Sequence, residues 1–191
     1  MPRSDRELMV AYSKGDDQAL AELYDRYERA LVNFFFKMCY DRDQAEDLTH
    51  DTFVRIMRHR RKYKPKAAFR TFLYTVARNL WIDAYRSRKA APRTVSTDRQ
   101  TTEDGRSLLD LLPSVEDGVI KRVSDAEAAR CVRDALEDLP DGQRMVFVMA
   151  EYQGLKYREI ADILDVPEGT IKSRMHAAVK RLRGILGRTL S

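Results

Sequence analysis

Apolar residues in the first 90 positions recur at steps of three and four, which is the spacing of one face of an α-helix. The first long stretch with this period runs from about Asp17 to Tyr40. A second stretch follows, and Asp43 stands where it would cap the new helix. A third begins near Phe69, after an interruption around Pro65. The pattern therefore predicts three helices in this half of the chain.

The third predicted helix has two chemically different sides. Its apolar stripe, which we expect to pack into the core, consists of Phe72, Leu73, Val76, Ala77, Leu80 and Ala84. The other faces carry aromatic and polar residues, namely Tyr74, Arg78, Asn79, Trp81, Tyr85, Arg86 and Arg88.

Between about Lys89 and Val123 the composition shifts to Pro, Gly, Ser and Thr, which predicts a linker. Helical periodicity then resumes, and no segment shows strand alternation. The later helices are predicted at about 125–139, 143–152, 156–164 and 167–186. We predict an all-α protein of two small helical domains joined by a flexible linker, with the first domain at 1–90, the linker at 91–124 and the second domain at 125–191.

The stretch from Tyr157 to Arg174 has the layout of a helix-turn-helix. Ala161 is small enough to let two helices approach, Val166 fills the turn, and Pro167 suits the first turn of the second helix. The N-terminal part of such a helix enters the DNA major groove, where Lys, Arg, Ser and Thr contact base edges and phosphates. The predicted DNA-contacting residues are Thr170, Lys172, Ser173, Arg174, His176 and Lys180.

The net charge of +5 is modest, but its distribution is informative. The segment from Arg55 to Arg88 contains eleven Lys or Arg residues and one acid, Asp83. The segment from Asp41 to Asp51 contains five acids and one base. Clustered basic charge indicates a nucleic-acid partner, and the neighbouring acidic block indicates a second partner of another kind.

Several classes of site are disfavoured by the sequence. Cys39 and Cys131 lie far apart without metal-ligand spacing, and each falls in an apolar helical pattern, so we expect buried thiols. We predict neither a cofactor nor a metal site. The first residues are polar and there is no apolar run of about 18 residues, so we expect a cytoplasmic protein without membrane insertion.

Two segments of the first domain resemble the extracytoplasmic-function sigma factors of the sigma-70 family. The residues from Asp41 to Phe53 resemble the family pattern D-x-x-x-A-E-D-L-x-Q-x-x-F, with His50 in place of Gln. The residues from Phe69 to Asp83 resemble F-R-x-W-L-x-x-I-A-R-N-x-x-x-D, with Phe72 in place of Trp. The helix-turn-helix matches the same family, so the resemblance covers nearly the whole chain in the expected order.

The resemblance implies a non-catalytic subunit that brings core RNA polymerase to promoters and helps to open the DNA. Docking on the polymerase clamp helices is expected to involve four acids and a histidine, namely Asp43, Glu46, Asp47, His50 and Asp51. Contact with the −10 element, double-stranded and then melted, is expected from Lys64, Lys66, Phe69, Arg70, Arg78, Asn79, Trp81 and Arg86. The helix-turn-helix would bind the −35 element and the polymerase flap. The resemblance also implies an anti-sigma factor as a regulatory partner.

Three alternatives stay open on the sequence alone. Phe69 and Trp81 are equally compatible with a place in the hydrophobic core. A stand-alone helix-turn-helix regulator would carry a similar second domain, although such proteins usually add an α/β receiver or ligand domain. An enzyme is conceivable because Glu46 and His50 lie one helical turn apart with Asp47 and Asp51 adjacent, but neither of the other two histidines, His59 and His176, completes a ligand set.

Overall fold

The computed structural model describes residues 3–58, 68–90 and 125–189. Its helices are α1 (Asp5–Lys14), α2 (Asp17–Cys39), α3 (Arg42–Arg58), α4 (Phe69–Ala90), α5 (Asp125–Glu137), α6 (Asp141–Phe147), a π-helical turn (Val148–Tyr152), α7 (Tyr157–Leu164) and α8 (Glu168–Thr189). These three ranges contain no β-strand, which confirms the all-α class. The linker predicted at 91–124 lies outside the described residues.

Helix α1 was not predicted from the hydrophobic pattern, and its local cause is a capping box. The amide of Glu7 donates to the Ser4 hydroxyl at 3.3 Å, and the Glu7 carboxylate accepts from the Ser4 amide at 2.7 Å. The Ser4 amide and the Ser4 hydroxyl both donate to the Glu7 carboxylate, and these two bonds lower the pKa of Glu7 below its usual range. Ser-x-x-Glu is a recognisable start signal for a helix. The start of α1 is therefore marked in the sequence by its cap, although its apolar period is not distinctive.

The start of α3 corrects the sequence prediction by two residues. The helix begins at Arg42, and the Gln44 amide donates to the Asp41 carboxylate at 3.0 Å. Asp41 therefore caps the helix, whereas Asp43 lies exposed in its first turn. An acid in the first turn, such as Asp43, also interacts favourably with the helix dipole. The sequence therefore offers two acids for the start of α3, and the backbone geometry decides which of them is the cap.

Helices α1 to α4 form the first lobe. The long helix α2 lies at its centre and packs on both α1 and α3, while α3 also packs on α4. Fully buried side chains of this core include Leu23, Leu31, Phe34, Phe35, Ile56 and Leu73. The ring of Phe34 meets the ring of Tyr74 edge-on at 5.5 Å between centroids, so aromatic packing joins α2 to α4.

Helix α4 buries more than the stripe that its sequence predicts. Phe69, Tyr74 and Trp81 are buried, at 2%, 1% and 5% exposure. Of the predicted stripe, Leu73 and Ala77 are buried and the other members are only partly so. The reason is that α4 packs against α3 on one side and against α7 on another. A second covered side cannot be read from the period of one helix.

The second lobe consists of α5 to α8 and the intervening π-helical turn. A buried cluster joins α8 to the C-terminal end of α5 and the residues just after it. It consists of Ala135, Leu136, Leu139, Ala178 and Leu182. The helix predicted at 143–152 exists, but it begins at Asp141 and its last five residues are π-helical. Such turns occur frequently at functional sites. This one contacts α2 of the first lobe, and its buried residues are Val148 and Met149.

The two lobes are in direct contact. A continuous cluster of buried side chains extends from Leu31 and Phe34 in the first lobe to Met149, Ile160 and Ile171 in the second. The sequence predicted two domains joined by a linker, and this prediction did not address contact between them. The tertiary structure therefore adds an interface between the lobes to the predicted architecture.

The cap of α3 yields a stability prediction. Asp41→Ala removes the acceptor of the Gln44 amide and is expected to lower the free energy of unfolding by about 1 kcal/mol. Asp41→Asn is the control, because asparagine caps helices as well as aspartate does, and it should retain most of the stability. Urea unfolding of both variants measures the difference. Equal losses in the two variants would contradict the assigned cap.

Candidate polymerase and nucleic-acid interfaces

Helix α3 separates an apolar side from an acidic side. Ala45, Leu48, Thr49, Thr52, Phe53 and Ile56 are buried against the first lobe. The predicted docking residues all lie exposed on the remaining surface, and they are Asp43, Glu46, Asp47, His50 and Asp51. Arg42 pairs with Glu46 at 2.8 Å, and both side chains are largely in solvent. We call these five exposed residues, four acids and His50, the acidic face. Its net charge is negative even with the Arg42 pair, and it is accessible to a basic partner.

The helix-turn-helix is built by a tight corner between α7 and α8. Asp165 has a left-handed backbone conformation with φ of 53°, and the Val166 amide donates to the Ala161 carbonyl at 3.2 Å. Ala161 is 8% exposed, so the small residue at this position lies at the contact between helices. The Lys156 amide donates to the Glu159 carboxylate at 2.8 Å and fixes the start of α7.

The first turns of α8 present the predicted DNA-contacting side chains. Ile171, Met175 and Ala178 are buried and hold the helix on the lobe. Lys172, Ser173, His176 and Lys180 are exposed, while Thr170 and Arg174 are half-buried. Lys172 forms an exposed ion pair with Glu168 at 2.9 Å, and this pair raises its pKa. An ion pair in solvent is weak, so the Lys172 ammonium is readily released to an anionic partner.

The polar residues of α4 differ in how accessible they are. Asn79 and Arg86 are exposed, and the Arg78 guanidinium donates to Asn79 at 3.0 Å. Arg70 is half-buried and donates to the backbone carbonyl of Gln153 in the second lobe. The other two predicted contacts, Lys64 and Lys66, lie outside the described residues.

The two aromatic candidates for base stacking are covered in this conformation. The ring of Phe69 lies 5.5 Å from that of Tyr27 and 6.4 Å from that of Phe72, inside the first lobe. Trp81 lies beside Tyr85, with 6.1 Å between ring centroids, at the contact with the second lobe. Of the two placements that the sequence left open for Phe69 and Trp81, the structure shows the buried one, with 2% and 5% of each residue exposed.

A group of polar contacts that the sequence did not indicate joins the lobes. The Tyr74 hydroxyl donates to the Gln153 side-chain oxygen at 2.6 Å, and burial raises the pKa of this phenol, which keeps it protonated. Arg144 donates to the Met38 carbonyl at 3.1 Å. No local signal marks these residues, because each partner comes from a distant part of the chain.

Lys37 is buried although it carries a charge. It is 4% exposed, and its ammonium lies 4.8 Å from the centre of the Tyr152 ring. Burial lowers its pKa. A cation over an aromatic face regains part of the lost hydration energy, so this pair also contributes to the contact between α2 and the π-helical turn.

A cleft of 690 Å³ lies between α4 and the second lobe. Its walls on the α4 side include Arg78, Trp81 and Arg86, and on the other side Met145 and Arg174. The cleft thus brings residues of the predicted −10 set close to a residue of the predicted −35 set. We call it the interlobe cleft.

The described ranges contain no group of three or more His, Cys, Asp or Glu side chains arranged to hold a metal ion. Within the same ranges, every helix is too short or too polar to cross a membrane.

Comparison with known proteins decides the family. Residues 23–91 match the family model of Sigma-70 region 2, and residues 129–182 match that of Sigma-70, region 4. The ECF RNA polymerase sigma factor SigW of Bacillus subtilis is 30% identical over 172 residues, which cover 89% of this chain and 90% of SigW. This chain belongs to the ECF RNA polymerase sigma factors. SigM of Mycobacterium tuberculosis is 31% identical, over 97% of this chain and 86% of SigM.

Two solved structures share the fold of this sigma factor. CnrH, in complex with the cytosolic domain of CnrY, covers 97% of the chain with a TM-score of 0.72 and 22% identity. The sigma factor RpoE of Bartonella quintana, in complex with the anti-sigma factor NepR, covers 87% with a TM-score of 0.63 and 24% identity. At these identities the likeness concerns the fold alone.

Family membership settles the general function. The protein is an alternative sigma factor, which binds core RNA polymerase and directs it to promoters. The stand-alone regulator is thereby set aside, because the match to region 2 accounts for the first lobe, which such a regulator would not contain.

The buried Lys37 gives a prediction on stability and pH. The pKa of Lys37 is lower in the folded protein than its ordinary value of about 10.4. Between these two pKa values the unfolded chain binds more protons than the folded protein. The free energy of unfolding of the parent therefore rises with pH in this window. Lys37→Met loses a cation–π contact of about 0.5–2 kcal/mol but also removes a buried charge. We expect the variant to be at least as stable as the parent near neutral pH, with an advantage that shrinks towards about pH 10. Urea unfolding at several pH values measures it, and a pH-independent difference would contradict it.

Proposed function

We propose that residues 1–90 act as region 2, 91–124 as the linker and 125–191 as region 4 of this sigma factor. The acidic face of α3 then docks on the clamp helices of core polymerase. The observation that carries this proposal is that all five acidic-face residues are exposed while the opposite side of the same helix is buried. Complementary charge accelerates encounter and fixes orientation, which suits a subunit that must find core polymerase before it finds DNA.

The start of α8 is proposed to read the −35 element in the major groove. Lys172, Ser173 and His176 project from its first turns, where helix-turn-helix proteins contact base edges. Lys180 lies two turns further on and suits a phosphate. The polymerase flap is the proposed protein partner of this lobe.

The polar side of α4 is proposed to contact the −10 element. Arg70, Arg78, Asn79 and Arg86 supply charge and hydrogen-bond donors, and Lys64 and Lys66 continue the basic segment.

Aromatic residues could offset part of the energy that melting requires. Opening DNA costs about 1.4 kcal/mol per base-pair step, and capture of one base on an aromatic ring returns about 1–3 kcal/mol. Phe69 is dropped from this set because it lies in the core. Trp81 contributes only if the second lobe moves away.

The proposal extends to the cellular compartment of the protein and to its regulator. The protein acts in the cytoplasm, where core polymerase and promoter DNA are found, and it has no catalytic activity of its own. An anti-sigma factor is its proposed regulator. RpoE of Bartonella quintana, which shares the fold, is described in a complex with such a factor.

Charge reversal on the acidic face tests the docking assignment. Asp47→Lys combined with Asp51→Lys is expected to weaken binding to core polymerase by at least about ten-fold, because attraction becomes repulsion. The matched control reverses Asp134 and Asp138, two exposed acids at the same spacing on the second lobe. Binding is measured with purified core polymerase, together with promoter-specific transcription from a genomic library. Equal effects of the two pairs would refute the assignment, and no promoter-specific initiation with the parent chain would refute the function.

Truncation of Lys172 tests the reading of the −35 element. Lys172→Ala is expected to cost about 1–3 kcal/mol of discrimination at one base pair if the side chain contacts a base. A phosphate contact would instead weaken binding to all sequences alike and reduce its salt dependence. Lys14→Ala, an exposed lysine of α1, is the control. The holoenzyme is assayed on promoters with single changes in the −35 element, and unaltered recognition would remove Lys172 from the interface.

A further inference from the structure

The helix-turn-helix carries as many acids as bases, although its proposed ligand is a polyanion. From Lys156 to His176 there are four Lys or Arg residues and four Asp or Glu residues, so the formal net charge is zero with histidine neutral. The rest of α8, from Ala177 to Thr189, has four bases and no acid. Attraction to phosphates is therefore concentrated in the later part of α8, and the acids of the motif do not contribute to it.

One of these acids, Glu168, lies where α8 would read base edges. It is the first residue of α8, its side chain is exposed, and a carboxylate oxygen lies 2.9 Å from the Lys172 ammonium. An acid in the first turn stabilises a helix, and so does a Glu–Lys pair four residues apart. Both effects are small at an exposed position, and neither depends on the fact that this turn would enter the major groove.

The space beside Glu168 is open. Gly169 is exposed, and a Cβ atom at this position would meet nothing within 4 Å outside its own part of the helix. Glycine in a helix is less favourable than alanine, and packing within the described residues does not require it here. The missing side chain leaves room for DNA to approach the start of α8 closely. A close approach brings the neighbouring Glu168 carboxylate within reach of a base edge.

We propose that Glu168 is a specificity-determining residue, whose carboxylate disfavours phosphate at the start of α8 and accepts a hydrogen bond from the N4 amino group of one cytosine in the −35 element. The proposal rests on the assignment of α8 to that element. When Lys172 leaves its ion pair to contact DNA, the Glu168 carboxylate loses its partner beside a polyanion. A cytosine amino group restores a partner, whereas a phosphate repels the carboxylate. Repulsion of the wrong ligand and attraction of the right one then act together.

The test measures binding of the holoenzyme, reconstituted from the full chain and core polymerase, to two kinds of duplex. The first is a promoter recovered by transcription of a genomic library, with each base pair of its −35 element changed in turn. In a parallel series, 2-pyrimidinone, which lacks the N4 amino group, replaces each cytosine of that element. The second duplex has the same length and contains no promoter sequence.

Two variants separate the acceptor from the charge. Glu168→Ala removes both, and Glu168→Gln removes only the charge. Asp138→Asn is the matched control, because it removes one negative charge from an exposed acid of the same lobe outside the helix-turn-helix.

Both Glu168 variants are expected to bind the non-promoter duplex about five- to ten-fold more tightly at about 0.1 M salt, with a salt dependence steeper by about one, because Lys172 then neutralises one more phosphate. The parent should lose about five-fold in affinity when 2-pyrimidinone replaces one particular cytosine, and Glu168→Ala should be indifferent to that replacement. Glu168→Gln should shift the preference at the same position towards adenine, which a glutamine amide binds through two hydrogen bonds. Asp138→Asn should match the parent on every duplex.

Equal discrimination by the parent and Glu168→Ala at every −35 base pair would overturn the proposal. A uniform loss of affinity on all duplexes would also overturn it, because Glu168 would then only hold Lys172 in place. An equal gain in non-promoter binding by Asp138→Asn would attribute the effect to overall charge and have the same consequence.

Failure of the underlying assignment gives a different result. A parent holoenzyme that is indifferent to every −35 change would refute the assignment of α8 to that element, and the role of Glu168 with it. Discrimination that is present in the parent and survives unchanged in both Glu168 variants would refute only the role of Glu168.

Discussion

The hydrogen bond from Tyr74 to the side chain of Gln153 joins residues 79 positions apart, and it lies at a contact between the lobes that also includes a shared apolar cluster. Around it, α4 is packed on one side by its own lobe and on another by α7. A helix covered on two sides must bury polar as well as apolar groups. This explains why a tyrosine, an arginine and a glutamine meet in the interior, and why the accessible part of α4 is reduced to residues such as Asn79 and Arg86.

The surfaces assigned to polymerase and to DNA are not equally affected by this contact. The acidic face of α3 and the exposed cations at the start of α8 are open while the lobes touch. Arg70 and Trp81, by contrast, are engaged at the interface.

Local signals in the sequence predicted much of the fold, and their failures have local explanations. The apolar periods of α2 and of the helix-turn-helix correctly predict these helices, and most of the apolar residues in each stripe are buried. Helix α1 is marked in the sequence by the Ser4 and Glu7 cap and not by an apolar period. Asp41 and Asp43 are both acids within one turn, so the sequence alone does not distinguish which of them caps α3. The π-helical turn adds a backbone irregularity that apolar spacing does not reveal.

The sequence by itself determined the helical class, the helix-turn-helix, the separation of acidic from basic segments and the resemblance to sigma factors. All of these depend on residues close together in the chain, so periodicity and motif spacing suffice to find them. Only the tertiary structure decided that Phe69, Tyr74 and Trp81 are buried and that Lys37 and Gln153 have structural partners. Whether one side of a helix meets water or another lobe depends on packing between distant segments, and the pattern within a single helix carries no record of it.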